Sequence, residues 1–197
     1  MDFLIATHNM GKRDELQRIL KPMGIRVLVA EEAGVTLRDA EETGTTFEEN
    51  AMIKAVSAAE DSGMPCIADD SGLVVDALDG RPGIYTARYG GEEMPYPEKI
   101  KKLVEEMQNV PDEKRTARFV SCIACVFPDG RKLTVRGECE GKIGYEPYGK
   151  GGFGFDPIFY CGEESFASLS PEAKDAISHR GNALRRLAAV LPAYMKE

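Results

Sequence analysis

The sequence lacks both a long apolar run and a surplus of basic residues. No stretch approaches the roughly 20 apolar residues that span a bilayer. The first residues also lack the basic segment and apolar core of a signal peptide, so we expect a cytoplasmic protein with no membrane partner. The formal net charge of −8 argues against binding of duplex DNA or RNA, because proteins that bind them carry a basic footprint. A nucleotide is not excluded, since a local cluster of positive charge and a metal would suffice for it.

Histidine is scarce, which limits the metal chemistry open to the cysteines. There are five cysteines and two histidines. Cys122 and Cys125 form a C-x-x-C pair of the kind found in redox and zinc sites. Their surroundings, RFVSCIACVF, are typical of a strand, in which a spacing of three places the two sulfurs on opposite faces. The histidines offer no obvious second half of a zinc site, so we expect buried, reduced thiols.

The predicted elements alternate from the start of the chain. A short apolar strand at 3–6, an amphipathic helix at 12–21 and a strand at 25–29 follow one another. Leu16, Ile19 and Leu20 have helical spacing, and Pro22 is expected to end the helix. This β-loop-α-β unit implies two parallel strands joined by a right-handed crossover.

The rest of the chain continues the alternation. Thr45 or Thr46 as the cap and Gly63 as the stop predict a helix over 46–62. Residues 69–72 are expected to break the next apolar stretch into two strands. The predicted elements that remain are strands at 66–68 and 73–75, a helix at 97–107, a hairpin of strands 116–127 and 132–138 around the turn 128–130, a strand at 158–160 and a helix at 178–194.

This order of elements predicts an α/β protein. We expect one domain over residues 1–197, made of two lobes, with a long central mixed sheet flanked by helices and an active-site cleft between the lobes. The length suits such a domain, because a chain of 197 residues can bury a sizeable core.

A polar loop, residues 7–11, joins the first strand to the first helix. Backbone N–H groups at a helix start attract anions, and Lys12 would add a full charge at the same place. In open α/β sheets, loops at the carboxyl ends of strands usually bind the ligand. A plain turn with Asn9 as the helix cap is the alternative. The Walker A pattern is absent from the sequence.

Acidic residues concentrate at 41–42, 48–49 and 69–70. Those at 48–49 fall in the first turn of a predicted helix, where acids suit the helix dipole. Asp69 and Asp70 directly follow an apolar strand, and adjacent carboxylates in such a place are costly without a cation. Mg²⁺ prefers one or two carboxylates with phosphate oxygens and water, which Asp70 and a glutamate of the 41–42 loop would supply. A structural turn is the alternative.

Two segments combine polar groups with a possible platform for a base. Asn50 and Lys54 lie four apart on one face of the 46–62 helix, either as a solvated face or as part of a site. The segment 149–157 contains four glycines, Phe153, Phe155 and an acid, so its backbone can approach a ligand closely and its rings can stack on a base. A glycine-rich bend in a sheet is the alternative.

The last cluster is Lys174 with residues 178–181. Ser178 is expected to cap the final helix, which places His179 and Arg180 in its first turn. Cations are unfavourable at that end of the dipole. Two of them there indicate a nearby anion or electron-rich carbonyl.

Together these motifs resemble the inosine triphosphate pyrophosphatase family, whose members hydrolyse ITP, dITP and XTP to the monophosphate and pyrophosphate. The resemblance runs along nearly the whole chain and keeps the order of the motifs. They are 7–12 (THNMGK), 41–44 (EETG), 46–55 (TFEENAMIKA), 68–73 (ADDSGL), 82–89 (PGIYTARY), 152–159 (GFGFDPIF) and 178–181 (SHRG).

The resemblance implies a two-lobed α/β fold, a homodimer, dependence on Mg²⁺, and removal of deaminated purine nucleotides from the precursor pool. It implies Glu41 and Asp70 as metal ligands, with Glu42 as the alternative to Glu41, and Asp70 as the group that activates water. Lys12 and Lys54 are its electrostatic partners in our hypothesis. The implied substrate contacts are Thr7, His8, Asn9, Met10, Gly11, Lys12, Ser71, Phe153, Gly154, Phe155, Asp156, Lys174, His179 and Arg180.

Selectivity is expected to come from the 6-oxo group of hypoxanthine and xanthine. Donors from His179 and Arg180 would bind that oxygen, whereas the amino group of adenine would face donors and remain unpaired. Two positions depart from the commoner pattern of the family. His8 stands where a small residue is frequent, and Phe155 replaces a tyrosine, which keeps the ring and loses a hydroxyl.

Two other functions are compatible with parts of this pattern. One is a pyrophosphatase for modified pyrimidine triphosphates, against which the 153–156 and 178–181 motifs weigh. The other is a nucleotide-binding regulator without turnover, which the intact acidic cluster disfavours.

Overall fold

The computed structural model describes residues 1–195. The chain forms a seven-stranded mixed sheet flanked by helices, which confirms the α/β prediction. The strands are Asp2–Ile5 (β1), Arg26–Leu28 (β2), Cys66–Val75 (β3), Thr116–Val126 (β4), Lys132–Ile143 (β5), Phe159–Cys161 (β6) and Glu164–Ser165 (β7). The helices are Met10–Leu20 (α1), Ala30–Ala33 (α2), Phe47–Ser62 (α3), Tyr96–Glu106 (α4), Pro171–Ile177 (α5) and His179–Met195 (α6).

The sheet has the order β2-β1-β3-β4-β5-β6-β7. β1 pairs in parallel with β2 and with β3, as the β-loop-α-β pattern predicts. β5 and β6, and β6 and β7, pair antiparallel. The predicted turn between β4 and β5 is confirmed, with the amide of Phe127 donating to the carbonyl of Arg131 at 2.9 Å. Parallel pairing at one end and antiparallel pairing at the other make the sheet mixed.

Two compact units divide the chain. Unit 1 comprises residues 1–70, 121–137 and the chain from 180 onward, and unit 2 comprises residues 71–120 and 138–179. Unit 1 has its own apolar core, to which α1 contributes Leu16, Ile19 and Leu20 from the predicted stripe. Unit 2 has a separate core rich in aromatic side chains, including Phe119, Phe159 and Phe166.

The helix boundaries follow local signals. Thr46 caps α3 by accepting a hydrogen bond from the amide of Glu49 at 3.1 Å, and Gly63 ends the helix in the left-handed conformation. Asn50 of this helix is buried, and its Oδ1 accepts from the amide of Gly44 at 2.8 Å. Asn50 therefore anchors the preceding loop, whereas Lys54 extends toward β3.

The predicted break at residues 69–72 is wrong. β3 continues through it as one strand of ten residues. The physical reason is that both aspartates find cations within the protein, so their charges do not require a solvated turn. β5 also runs beyond its predicted end at 138, to Ile143. α1 ends at Leu20, just before Pro22 as predicted, and the 3₁₀ turn Lys21–Met23 follows it.

The cysteines agree with the expectation of reduced thiols, and four of the five are buried. All five cysteines are free thiols, and burial raises the pKa of Cys125 to about 12. Over residues 1–195, no helix has the length and apolar character that crossing a bilayer requires.

The buried side chain of Arg115 connects backbone segments of unit 2 by hydrogen bonds. Its guanidinium is fully buried and donates to four carbonyl oxygens. These belong to Met107 at 2.7 Å, Gly144 at 2.8 Å, Ile143 at 2.9 Å and Val110 at 3.3 Å. One side chain thereby ties the end of β5 to the segment that follows α4.

Replacing Arg115 with methionine is expected to destabilise the protein by at least about 3 kcal/mol, because an unsatisfied buried acceptor costs roughly 1–3 kcal/mol. The measurement is urea unfolding. Arg26→Met is the matched control, since Arg26 is exposed and pairs with Asp2 at the surface, and its loss is expected to cost less than about 1 kcal/mol. Equal costs for the two variants would contradict the role of Arg115.

Candidate active site

Strand β3 carries two adjacent aspartates near its middle. Because side chains alternate along a strand, Asp69 and Asp70 point to opposite faces of the sheet. Asp69 is 2% exposed and Asp70 is 5% exposed. Each buried carboxylate therefore needs cations or donors on its own side of the sheet.

Asp69 is fully satisfied by side chains from three elements of unit 1. Its Oδ2 lies 2.8 Å from Nζ of Lys12 on α1. The guanidinium of Arg180 on α6 donates to both carboxylate oxygens at 3.1 and 3.2 Å, and Oγ of Ser121 on β4 donates at 2.6 Å. Burial alone would raise the pKa of Asp69, but Arg180 and Lys12 hold it well below its usual value. Asp69 is a fixed negative charge at neutral pH.

Arg180 joins a second carboxylate to this network. The side chain is 1% exposed, and its Nη1 donates to Oε2 of Glu15 on α1. Burial would lower the pKa of Arg180, but Asp69 and Glu15 raise it. The anion expected near the start of the last helix is therefore supplied by these two carboxylates, toward which the guanidinium is directed. A direct contact between this guanidinium and a nucleotide stays a prediction.

Asp70, on the other face of the strand, is only half satisfied. Its Oδ1 lies 2.8 Å from Nζ of Lys54 on α3. Its Oδ2 is buried and has no hydrogen-bond partner among residues 1–195. Burial raises the pKa of Asp70, although Lys54 and Lys12 act in the opposite direction. A carboxylate oxygen in this condition is suited to a metal, a water or a substrate proton.

Lys54 bridges Asp70 to the 41–42 loop. Its Nζ lies 2.8 Å from Oε1 of Glu42 as well as 2.8 Å from Asp70. Burial would lower the pKa of Lys54, but Asp70 and Glu42 outweigh burial and raise it. Burial lowers the pKa of Lys12, with Asp69 opposing this change and Lys54 adding to it. Lys54 thus contacts the carboxylate whose other oxygen is unsatisfied, and Lys12 contacts the preceding carboxylate of the strand.

The loop before α1 is ordered by its own polar groups. Oδ1 of Asn9 accepts from the amide of Lys12 at 3.0 Å, so Asn9 is the helix cap. Oγ1 of Thr7 accepts from the amide of Asn9 at 3.2 Å, and exposed His8 lies 3.6 Å from Asp39.

The Asn9 cap leaves other backbone amides at the start of α1 without an acceptor in the helix. The first-turn amides of Met10 and Gly11 have no intrahelical acceptor. Met10 is 59% exposed and Gly11 is half-buried. The cap alternative is therefore correct for Asn9, and it is compatible with an anion at these amides.

The glycine-rich segment lies in unit 2, where an internal ion pair shapes it. Oδ2 of Asp156 accepts from the amide of Phe153 at 2.9 Å and from Nζ of Lys174 on α5 at 2.5 Å. A Cβ at Gly152, whose φ is +66°, would overlap the carboxylate of Asp156. Asp156 is 2% exposed and Lys174 is 3% exposed. Both predicted substrate contacts thus also build the loop.

The two phenylalanines of this segment have different surroundings. Phe155 is 1% exposed and meets Tyr89 and Tyr96 edge to face, with ring centroids 6.0 and 5.5 Å apart. Its ring belongs to the core of unit 2. Phe153 is half-buried, with Nζ of Lys174 4.7 Å from its ring centroid. This difference leaves Phe153 as the ring suited to stack on a base.

His179 and Ser71 complete the predicted set within unit 2. The imidazole of His179 is 4% exposed and stacks on Phe119, with ring centroids 4.6 Å apart and an interplanar angle of 14°. Ser71 is half-buried and follows Asp70 in β3, and Gly154 is half-buried beside the ring of Tyr96.

The carboxylates suit magnesium better than a metal that needs a full set of protein ligands. No group of three or more His, Cys, Asp or Glu side chains within residues 1–195 is placed to hold a metal ion. Mg²⁺ needs only one or two carboxylates and completes its shell with water and phosphate oxygens. The unsatisfied Oδ2 of Asp70 fits this requirement. Glu42 is the glutamate beside Lys54, whereas Glu41 is exposed.

Sequence reasoning missed two members of the site and left a third undecided. Glu15 is an acid that is 4% exposed beside the apolar stripe of α1, and Ser121 is a polar residue inside the apolar run of β4. A polar residue within an otherwise buried pattern is a signal that could have found both. Nothing in the sequence distinguishes Glu42 from its neighbour.

Known proteins resemble this chain along nearly its whole length. The sequence profile of the Ham1 family matches residues 3–190. A dITP/XTP pyrophosphatase of Nocardia farcinica is 47% identical over 194 residues, covering 96% of this chain and 94% of that protein. A dITP/XTP pyrophosphatase of Halalkalibacterium halodurans is 46% identical over 188 residues, covering 94% and 96%. Among solved structures, a HAM1 protein from Coxiella burnetii matches with a TM-score of 0.86 at 41% identity, covering 98% of this chain and 99% of that one.

Asp69→Asn is expected to destabilise the protein by roughly 3–5 kcal/mol at pH 7, because it leaves Arg180 and Lys12 buried without their shared partner. The Asp69 pKa is lowered by folding, so its contribution is complete above the ordinary value of 3.8 and is lost as pH falls below it. The gap between wild type and variant is therefore expected to shrink by about 1.4 kcal/mol per pH unit below that value.

Urea unfolding at several pH values measures this gap. Asp14→Asn is the control, since Asp14 pairs with Arg13 at the surface. A gap that stayed constant down to pH 2 would contradict the ion-pair origin of the effect.

Proposed function

Because the chain belongs to the Ham1 family, we propose that it hydrolyses ITP, dITP and XTP to the nucleoside monophosphate and pyrophosphate. This activity would remove deaminated purine nucleotides from the precursor pool. The observation that carries the proposal is the buried, unsatisfied Oδ2 of Asp70, whose other oxygen contacts Lys54, next in the strand to the carboxylate that contacts Lys12. An anionic substrate needs the lysines, and a water nucleophile needs the carboxylate. The names of the similar proteins support the same reaction.

The residues of unit 1 suit the phosphate chemistry. Water attacks the α-phosphorus, and the bond from that phosphorus to the bridging oxygen breaks, so that pyrophosphate leaves. Lys12 and Lys54 neutralise charge on the phosphates, together with the first-turn amides of α1. Asp70 orients the water and accepts its proton. Its raised pKa supports this role, because a carboxylate is a better base when its pKa is higher.

We propose Mg²⁺ as the cofactor, held by Asp70 with Glu41 or Glu42. The ion would stabilise charge on the departing pyrophosphate when bound. Support comes from the unsatisfied oxygen of Asp70, which matches the preference of Mg²⁺ for a shell shared with phosphate and water.

The residues of unit 2 suit recognition of the base. Phe153 offers the exposed part of a ring, and Asp156 with Lys174 fixes the loop that carries it. We retain Gly154, Ser71 and His179 as proposed contacts of the nucleotide, and donors near this loop as the source of preference for a 6-oxo purine. We assign Arg180 chiefly to Asp69 and Glu15, which its contacts support.

We further propose that the protein acts as a cytoplasmic homodimer without a nucleic-acid or membrane partner. The resemblance to a dimeric family and the net charge of −8 support this view.

Release of pyrophosphate from ITP, XTP, dITP, ATP, GTP and dTTP with Mg²⁺ tests the function. We expect kcat/KM for ITP, XTP and dITP to exceed that for ATP by at least about 100-fold, since a site that binds a 6-oxo group leaves polar groups unpaired against adenine. Comparable rates with ATP would contradict the selectivity. Activity on dTTP alone would indicate a pyrimidine enzyme, and binding without turnover a regulator.

Asp70→Asn is expected to lower kcat for ITP by about 10²–10⁴-fold, because the amide cannot accept a proton from water. The variant should fold normally, since burial disfavours the charged carboxylate and Lys54 keeps Glu42 as a partner. Steady-state kinetics and thermal unfolding measure the two effects. Asp79→Asn, in the turn after β3, is the control. Near-normal turnover in the Asp70 variant would reject the assignment.

A further inference from the structure

Lys54 lies between the carboxylates of Asp70 and Glu42, two of the three that are proposed as ligands of Mg²⁺. Its ammonium lies 2.8 Å from Oδ1 of Asp70 and 2.8 Å from Oε1 of Glu42. The side chain is 17% exposed and that of Asp70 is 7% exposed. The pair is therefore weakly screened by solvent, and Lys54 is held from both sides.

In this position the ammonium of Lys54 would repel a divalent ion bound to Asp70. A cation bound at the unsatisfied Oδ2 of Asp70 would lie a few ångströms from the ammonium on Oδ1 of the same carboxylate. The repulsion is twice that between two unit charges and acts where little water intervenes. Binding of the metal alone must overcome this repulsion or detach Lys54 from its two carboxylates.

Lys12 does not have the same freedom. Its partner Asp69 is tied to Arg180 and Ser121, and this network lies on the other face of β3. Among residues 1–195, Asp70 forms an ion pair with Lys54 alone. Lys54 is thus the cation whose contacts compete directly with a metal.

We propose that Lys54 makes the binding of Mg²⁺ depend on the triphosphate. In the absence of substrate, its ammonium holds Asp70 and Glu42 together and disfavours a metal there. When the triphosphate binds, its phosphate oxygens offer Lys54 another anion, and the two carboxylates become available. The inference rests on the proposed function and adds an order of binding. The protein retains the metal only when the substrate is bound.

Binding of Mn²⁺ in the absence of nucleotide tests the proposal, with free Mn²⁺ followed by electron paramagnetic resonance. Lys54→Met removes the charge and keeps an unbranched side chain. We expect its Kd for Mn²⁺ to be at least about tenfold lower than that of the wild type, because the repulsive charge is gone. Lys101→Met is the matched control, since Lys101 is exposed on α4, where its ammonium lies 3.9 Å from Glu105. Its Kd should equal that of the wild type.

Lys54→Gln provides a second variant in case the methionine variant does not fold. It keeps a hydrogen-bond donor without the charge and should also bind Mn²⁺ more tightly than the wild type. An unchanged or higher Kd in a folded Lys54 variant would overturn the proposal.

Pyrophosphate release from ITP by the wild-type protein, measured in parallel, separates this result from the proposed function. If Mn²⁺ binding tightens but the wild type does not release pyrophosphate, the role of Lys54 against the metal stands and the hydrolase proposal fails. If the wild type is active and Mn²⁺ binding does not tighten, the role of Lys54 fails and the hydrolase proposal stands.

Discussion

The buried carboxylate of Asp69 is the charge on which the candidate site depends. A lone carboxylate that is 2% exposed would be very costly, and here it meets Lys12, Arg180 and Ser121. Arg180 also donates to Glu15. The charges of two carboxylates and two cations therefore balance within unit 1. These contacts connect α1, α6, β3 and β4. The same contacts allow β3 to run through a pair of aspartates without a turn.

Asp70 is a second buried aspartate, but its charge is only partly compensated by neighbouring groups. It is the next residue along the strand and is also buried, yet its pKa is raised whereas that of Asp69 is lowered. The difference is in the partners: Asp69 has two cations and a hydroxyl, whereas Asp70 has one lysine on one oxygen. Asp69 is therefore suited to a structural role, and Asp70 to binding a metal or accepting a proton. Because successive side chains of a strand point to opposite faces of the sheet, two adjacent carboxylates can have different partners and different roles.

The sequence predicted what depends on neighbours along the chain. Thr46 and Gly63 define α3, and the spacing of apolar residues defines α1, because caps and periodicity act within a few residues. The continuity of β3 was not predictable, since it depends on Arg180, which is 111 residues away from Asp69. The burial of the Phe155 ring depends likewise on aromatic partners from distant segments. The order of the motifs indicated which residues belong to the candidate site. It did not indicate which of them contact one another.

The contacts also change how loss of activity in a variant should be interpreted. Lys12 and Arg180 pair with Asp69, and Lys174 pairs with Asp156, so each of these cations stabilises a carboxylate of the protein itself. Removing any of them takes a cation away from a buried carboxylate, which costs stability before any substrate is involved. Among the predicted lysines, Lys54 differs because Asp70 is incompletely satisfied and Glu42 lies in a loop. An effect on metal binding can therefore be separated from an effect on folding most cleanly at Lys54.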